Sequence, residues 1–75
     1  MPYIAIKCYP KDEETKKKVA AEINEVMLKY WGCPQKAISL SFEEVAPEDW
    51  EKTVREPVIM KNIDKMMIIE GEKKF

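Results

Sequence analysis

Histidine is absent from this 75-residue chain, and that absence excludes several chemistries at once. Neither a Ser-His-Asp nor a Cys-His arrangement can be assembled from its residues. Imidazole metal ligands are missing too, and two cysteines far apart in sequence, Cys8 and Cys33, make no zinc cluster, so no metal site is expected. The same two cysteines, with no secretory signal before them, argue against a disulfide framework. Glycine is almost as scarce. With only Gly32 and Gly71, a glycine-rich phosphate loop is excluded. Long apolar stretches are lacking: Met66-Met67-Ile68-Ile69 is as long as any uninterrupted run, far short of a membrane span. Nor does either sign of charge dominate. Thirteen basic residues face fourteen acidic ones, for a net charge of −1. The Lys16-Lys17-Lys18 run follows directly on Asp12, Glu13 and Glu14, so no basic face suited to nucleic acid is expected. These absences predict a cytoplasmic protein without membrane or nucleic-acid partners.

What is present is a small domain with an apolar surplus. A chain of this size buries only about 60% of the surface that its unfolded form exposes, and commonly relies on a disulfide, a metal or a partner subunit. With the first two disfavoured and 45% of the residues hydrophobic, self-association is the expected stabiliser.

The order of elements is readable from periodicity. Ile4, Ile6 and Cys8 alternate with Tyr3, Ala5, Lys7 and Tyr9, as a strand requires, and Pro10 ends it. Asp12 is placed to cap a helix whose first turn carries Glu13 and Glu14. Val19, Ile23, Val26, Met27 and Tyr30 draw an apolar stripe, and Gly32 with Pro34 terminates the helix at about residue 31. Ile38, Leu40 and Phe42 then alternate in a second strand from Ala37 to about Val45. A helix over 13–31 spans about 28 Å. An eight-residue strand spans about 26 Å, so the helix can carry the chain back for a parallel, right-handed βαβ unit. After Val45, Pro47 with Glu48 and Asp49 starts a further helix. Pro57 predicts a break, and a second short helix runs through Met66. Ile68 and Ile69 before Gly71 suit a short extended segment, and residues 72–75 read as a loose tail. The predicted fold is therefore α/β, a single domain over residues 1–75. Its helix covers one side of the sheet, and two copies joined edge to edge make a four-stranded sheet in a homodimer.

Proline directly behind the initiator methionine is the chemically distinctive feature. Methionine is usually trimmed before proline, which leaves Pro2 with a free secondary amine. An α-amino group has a pKa of about 7.7–8.0, and apolar surroundings lower it by disfavouring the charged form. A base that is partly unprotonated near neutral pH suits general acid–base catalysis and needs no histidine.

Taken together, the proline-opened strand, the long helix, the parallel strand and the aromatic beyond it resemble the 4-oxalocrotonate tautomerase family. The strings Ile6-Lys7-Cys8-Tyr9-Pro10 and Ala46-Pro47-Glu48-Asp49-Trp50 are similar to its small bacterial subgroup, and the similarity covers essentially the whole chain. The resemblance implies a cofactor-independent tautomerase in which the amine at Pro2 moves a proton in an enol–keto conversion. It also implies a cation just after the first strand, where this chain has Lys11, and an aromatic pocket wall at Trp50. A family arginine in the second strand is replaced by Ser39, which disfavours a dicarboxylate and favours a 2-oxo acid with an apolar or aromatic body, such as phenylenolpyruvate. Lys11 keeps the charge but not the two-pronged guanidinium fork. Arg55, the chain's only arginine, is a second candidate for the cation. Ser39 is a candidate hydrogen-bond donor; each of these side chains also has an ordinary surface reading. Phe42 and Cys8 read as core. Two other classes remain open. One is a dehalogenase or decarboxylase on the same scaffold, with Glu43 or Glu44 positioning water; the other is a non-catalytic dimeric binding module.

Overall fold

A computed structural model describes all residues from Met1 to Phe75 and divides them into two units, Met1–Glu44 and Val45–Phe75. The first is the βαβ unit. Strand β1 (Tyr3–Cys8) pairs in parallel with β2 (Ser39–Glu44), in a register that sets Tyr3 beside Ser39, Ile4 beside Leu40 and Ile6 beside Phe42. Alternation places Ile4, Ile6, Cys8, Leu40 and Phe42 on the half-buried face and leaves Tyr3, Ala5, Lys7, Ser39, Ser41 and Glu43 exposed. On that exposed face the Tyr3 hydroxyl lies 3.5 Å from Ser41 Oγ.

Helix α1 (Glu13–Val26) begins where Asp12 predicts it. The Asp12 carboxylate accepts bonds from the Thr15 N–H at 3.0 Å and from the Thr15 hydroxyl at 2.8 Å, satisfying a donor that the first turn leaves free. Winding does not stop at Val26. It loosens into a π-type turn over Met27–Trp31 and ends at Gly32, whose φ of 77° is the left-handed conformation that glycine adopts without a Cβ penalty. The predicted end is thus correct, and the last turn is wider than the α-helical period implies. The stripe needs a larger correction. Ile23 and Met27 are half-buried, together with Lys16, Ala20, Asn24 and Leu28, whereas Val19, Val26 and Tyr30 stand exposed at 40%, 50% and 76%. Of the first unit only Ala37 is buried. Ala37 also lies outside β2, in a 3-10 turn (Gln35–Ala37) that precedes the strand.

In the second unit, a 3-10 turn (Pro47–Asp49) leads through Trp50 into a π-type helix (Glu51–Ile59) and a 3-10 stretch (Met60–Lys65). Val45 and Val54 are its buried residues. Pro57 does not break this helix. Bonds that reach five residues back, such as Met60 N–H to Arg55 C=O, widen the winding around a residue that has no N–H to donate. The non-helical backbone falls at Asn62 instead, and its amide donates to the Val58 carbonyl at 2.7 Å. Nor are the last residues a loose tail: β3 (Ile68–Ile69) and β4 (Glu72–Lys73) form an antiparallel hairpin. Glu70 and Gly71 both have positive φ, 48° and 84°, as a two-residue turn of the mirror-image type requires.

Candidate active site

Pro2 precedes β1, half-buried, one residue before the register opens with Tyr3 beside Ser39. Its carbonyl accepts the Ser39 N–H at 3.2 Å, so the ladder begins at the proline itself. Met1 is 98% exposed. Pro2 and Ser39 are therefore brought together, through the backbone of Ser39 and with its hydroxyl on the exposed face.

Lys11 is not brought to Pro2 within the protomer. It follows the far end of β1, and the two ends of that strand lie about 17 Å apart at 3.3 Å per residue. Its backbone N–H donates to Glu44 Oε2 at 3.0 Å. The same oxygen accepts from Lys16 Nζ at 3.0 Å, and Lys16 also lies 3.7 Å from Glu13. The Lys11 N–H, and then the Lys16 ammonium, hold the Glu44 carboxyl below its ordinary range; Glu44 in turn raises Lys16. Glu44 is thus engaged as a tie between β2 and the start of α1, while Glu43 lies on the exposed face.

Trp50 and Arg55 belong to the second unit. Trp50 is half-buried, and its N–H donates to the Pro47 carbonyl at the entry to the wide helix. Arg55 Nε donates to Glu70 at 2.7 Å and Nη1 to Glu51 at 3.3 Å, and these bonds raise its pKa further. A cleft of about 340 Å³ lies beside it, lined by Arg55, Met60, Ile63, Ile69, Glu70 and Glu72. With two carboxylates on the guanidinium and Glu72 close by, this cleft is poorly suited to an anionic substrate. No group of histidine, cysteine and carboxylate side chains able to hold a metal occurs in the structure, and no helix is long and apolar enough to cross a membrane.

A half-buried proline at the start of a parallel βαβ unit defines a class, and comparison with known proteins identifies it. The model of the tautomerase family, described as "Tautomerase enzyme", matches residues 2–52. The chain belongs to this family of isomerases, whose substrates are small molecules. In particular it is similar to proteins named tautomerase PptA. That of Pectobacterium atrosepticum is 36% identical over 66 residues, 85% of this chain and 87% of its own. The PptA of Enterobacter sp. (strain 638) is 32% identical over 69 residues, 89% and 91% of the two chains. That of Escherichia coli O127:H6 is 38% identical over 53 residues, 68% and 71%. The segment matched by the family holds Pro2, Lys11, Ser39 and Trp50, and ends before Arg55.

Proposed function

We propose that this protein is a cofactor-independent keto–enol tautomerase in which Pro2, freed by removal of Met1, is the catalytic base. Its substrate is the enol of a 2-oxo acid with one carboxylate and an apolar or aromatic body, of the phenylenolpyruvate kind. The neutral amine takes the proton of the enol hydroxyl, the enolate electrons move to carbon 3, and the resulting ammonium returns the proton there. The product is the keto acid and the amine is regenerated, so the reaction needs no cofactor.

The observation that carries the reading is the setting of Pro2. It is half-buried, bonded through its carbonyl to the Ser39 N–H, and the family match opens at this residue. Partial burial favours the neutral amine by disfavouring its charged form. The exposure of Met1 means that its removal takes no packing from the strand.

The protein acts as a homodimer. Each strand of the two-stranded sheet has one unpaired edge, and the flank of α1 carrying Val19, Val26 and Tyr30 is uncovered. Pairing about a two-fold axis runs the joined strands antiparallel, so the Pro2 end of one protomer meets the Lys11 end of the other. Lys11 of the partner subunit then holds the substrate carboxylate and stabilises the enolate. Trp50, half-buried in the second unit and within the family-matched segment, is the candidate for an apolar wall. Arg55, already bonded to two carboxylates, is the weaker of the two cation candidates. With a lysine as its cation the pocket suits a monocarboxylate better than a dicarboxylate.

The test is the Pro2→Ala variant, assayed with phenylenolpyruvate after mass spectrometry has established Met1 removal. Turnover is expected to fall by about 10²–10⁴-fold, with the melting temperature preserved. Unchanged turnover would overturn the mechanism.

A further inference from the structure

Asn24 and Gln35 face each other across the turn between α1 and β2 and exchange two amide hydrogen bonds. Asn24 Nδ2 donates to Gln35 Oε1 at 2.9 Å, and Gln35 Nε2 donates to Asn24 Oδ1 at 2.8 Å. Such a reciprocal pair uses a donor and an acceptor from each amide and fixes both in one orientation. No periodic pattern in the sequence marks it. Its position in the chain gives it meaning.

Gln35 opens the 3-10 turn that feeds β2. The Gln35 carbonyl accepts the Ile38 N–H at 3.2 Å, the Pro34 carbonyl accepts the Ala37 N–H at 3.0 Å, and Ala37 is the buried residue of this unit. Ile38 is followed by Ser39, whose N–H donates to the Pro2 carbonyl. A continuous path of bonds therefore runs from the body of α1, through one side-chain clasp and one short turn, to the hydrogen bond that anchors Pro2. The anchoring matters because an amine at a chain start has no preceding residue to restrain it, and catalysis is sensitive to misplacement on the ångström scale.

We propose that Asn24 and Gln35 are positioning residues for Pro2. Their clasp sets the turn that presents the Ser39 N–H, and so fixes where the proline nitrogen points. Neither side chain touches the substrate. The inference rests on the proposed role of Pro2, but its physical content, the link from the clasp to the Ser39–Pro2 bond, can be read without any activity.

The experiment compares Asn24→Ala, Gln35→Ala, the double variant and the exchanged pair Asn24→Gln/Gln35→Asn. The exchange keeps two amides and the combined side-chain length. Amide hydrogen exchange, resolved by residue, is measured alongside kcat and KM for phenylenolpyruvate. In each single variant we expect Ser39 N–H to exchange about tenfold faster, with protection retained within the ladder towards Lys7 and Glu43. We also expect kcat to fall about tenfold or more with KM changed less than threefold. The double variant should be no worse than either single one, and the exchanged pair should recover part of kcat. Faster exchange spread evenly over β1 and β2 would make the clasp merely structural and overturn the proposal. So would unchanged exchange at Ser39, or losses that multiply in the double variant. If the parent protein fails to turn over the enol, or if Pro2→Ala remains active, the proposed function fails; localised exchange at Ser39 would still show the clasp holding Pro2.

Discussion

Glu44 shows how much one side chain contributes at the residue scale. A single carboxylate oxygen accepts both the Lys11 N–H and the Lys16 ammonium, tying β2, the loop after β1 and the first turn of α1 together. Alternation in β2 places the residue, but nothing in the sequence reveals the tie, because its partners lie 33 and 28 positions away. These bonds lower the folded pKa of Glu44 below its ordinary value of 4.5. The resulting stabilisation is fully present above about pH 4.5 and is lost as pH falls through the lower folded value. Asp12, held down by the Thr15 N–H and hydroxyl, behaves in the same direction. The variant Glu44→Gln should therefore melt below the parent protein at pH 7. The difference should narrow as pH drops below 4.5, because the parent is then losing the same charge. Thermal unfolding followed over a pH series checks this. A gap that stays constant with pH would mean that the charge of Glu44 contributes nothing to the tie.

Elements differ in how far they can be read from residues. β1, α1 and β2 follow from period-two and period-four patterns bracketed by Pro10, Asp12 and Gly32, and the parallel register confirms that the helix returns the chain. Periodicity fails at the wide turns. The i→i+5 winding over Met27–Trp31 and Glu51–Ile59 has no signature in the hydrophobic pattern, so Pro57 reads as a breaker although the wider helix accommodates it. Ile68 and Ile69 read as a short extended segment before Gly71, but the partner strand Glu72–Lys73 escapes notice because two residues carry no alternation. At the candidate site, the place of Pro2 at the head of β1 is legible from the alternation that follows it. The clasp of Asn24 with Gln35 is not, since a pairing of polar side chains across a turn depends on the folded geometry. Gly32 is the position where reading and structure agree most closely. A Cβ there would meet no atom within 4 Å, so the cost of Gly32→Ala comes from its φ of 77° alone. Calorimetry should show the variant destabilised by about 1–2 kcal/mol. A melting temperature equal to that of the parent would mean that the helix end relaxes into another cap.

At the scale of the whole molecule, the proposed mechanism depends on which subunit supplies the cation. Pro2 and Lys11 lie at opposite ends of β1, so one protomer does not bring both to one substrate along this strand. Joining two sheets about a two-fold axis resolves this, because it sets opposite strand ends side by side. In the single protomer Val26 and Tyr30 are exposed on one flank of α1, with Trp31 at 69% just beyond. Each site of such a dimer takes Pro2 from one subunit and Lys11 from the other, which makes the arrangement testable by complementation. Pro2→Ala and Lys11→Ala homodimers should each be nearly inactive. When the subunits are exchanged at equal amounts, half of the dimers are mixed. A mixed dimer holds one site with both functional residues and one with neither, so activity should rise to about a quarter of the parental value. If Pro2 and Lys11 acted within one protomer, mixing would create no intact site, and activity would remain at the average of the two variants. The second result would remove Lys11 of the partner subunit from the mechanism and return the cation role to another residue.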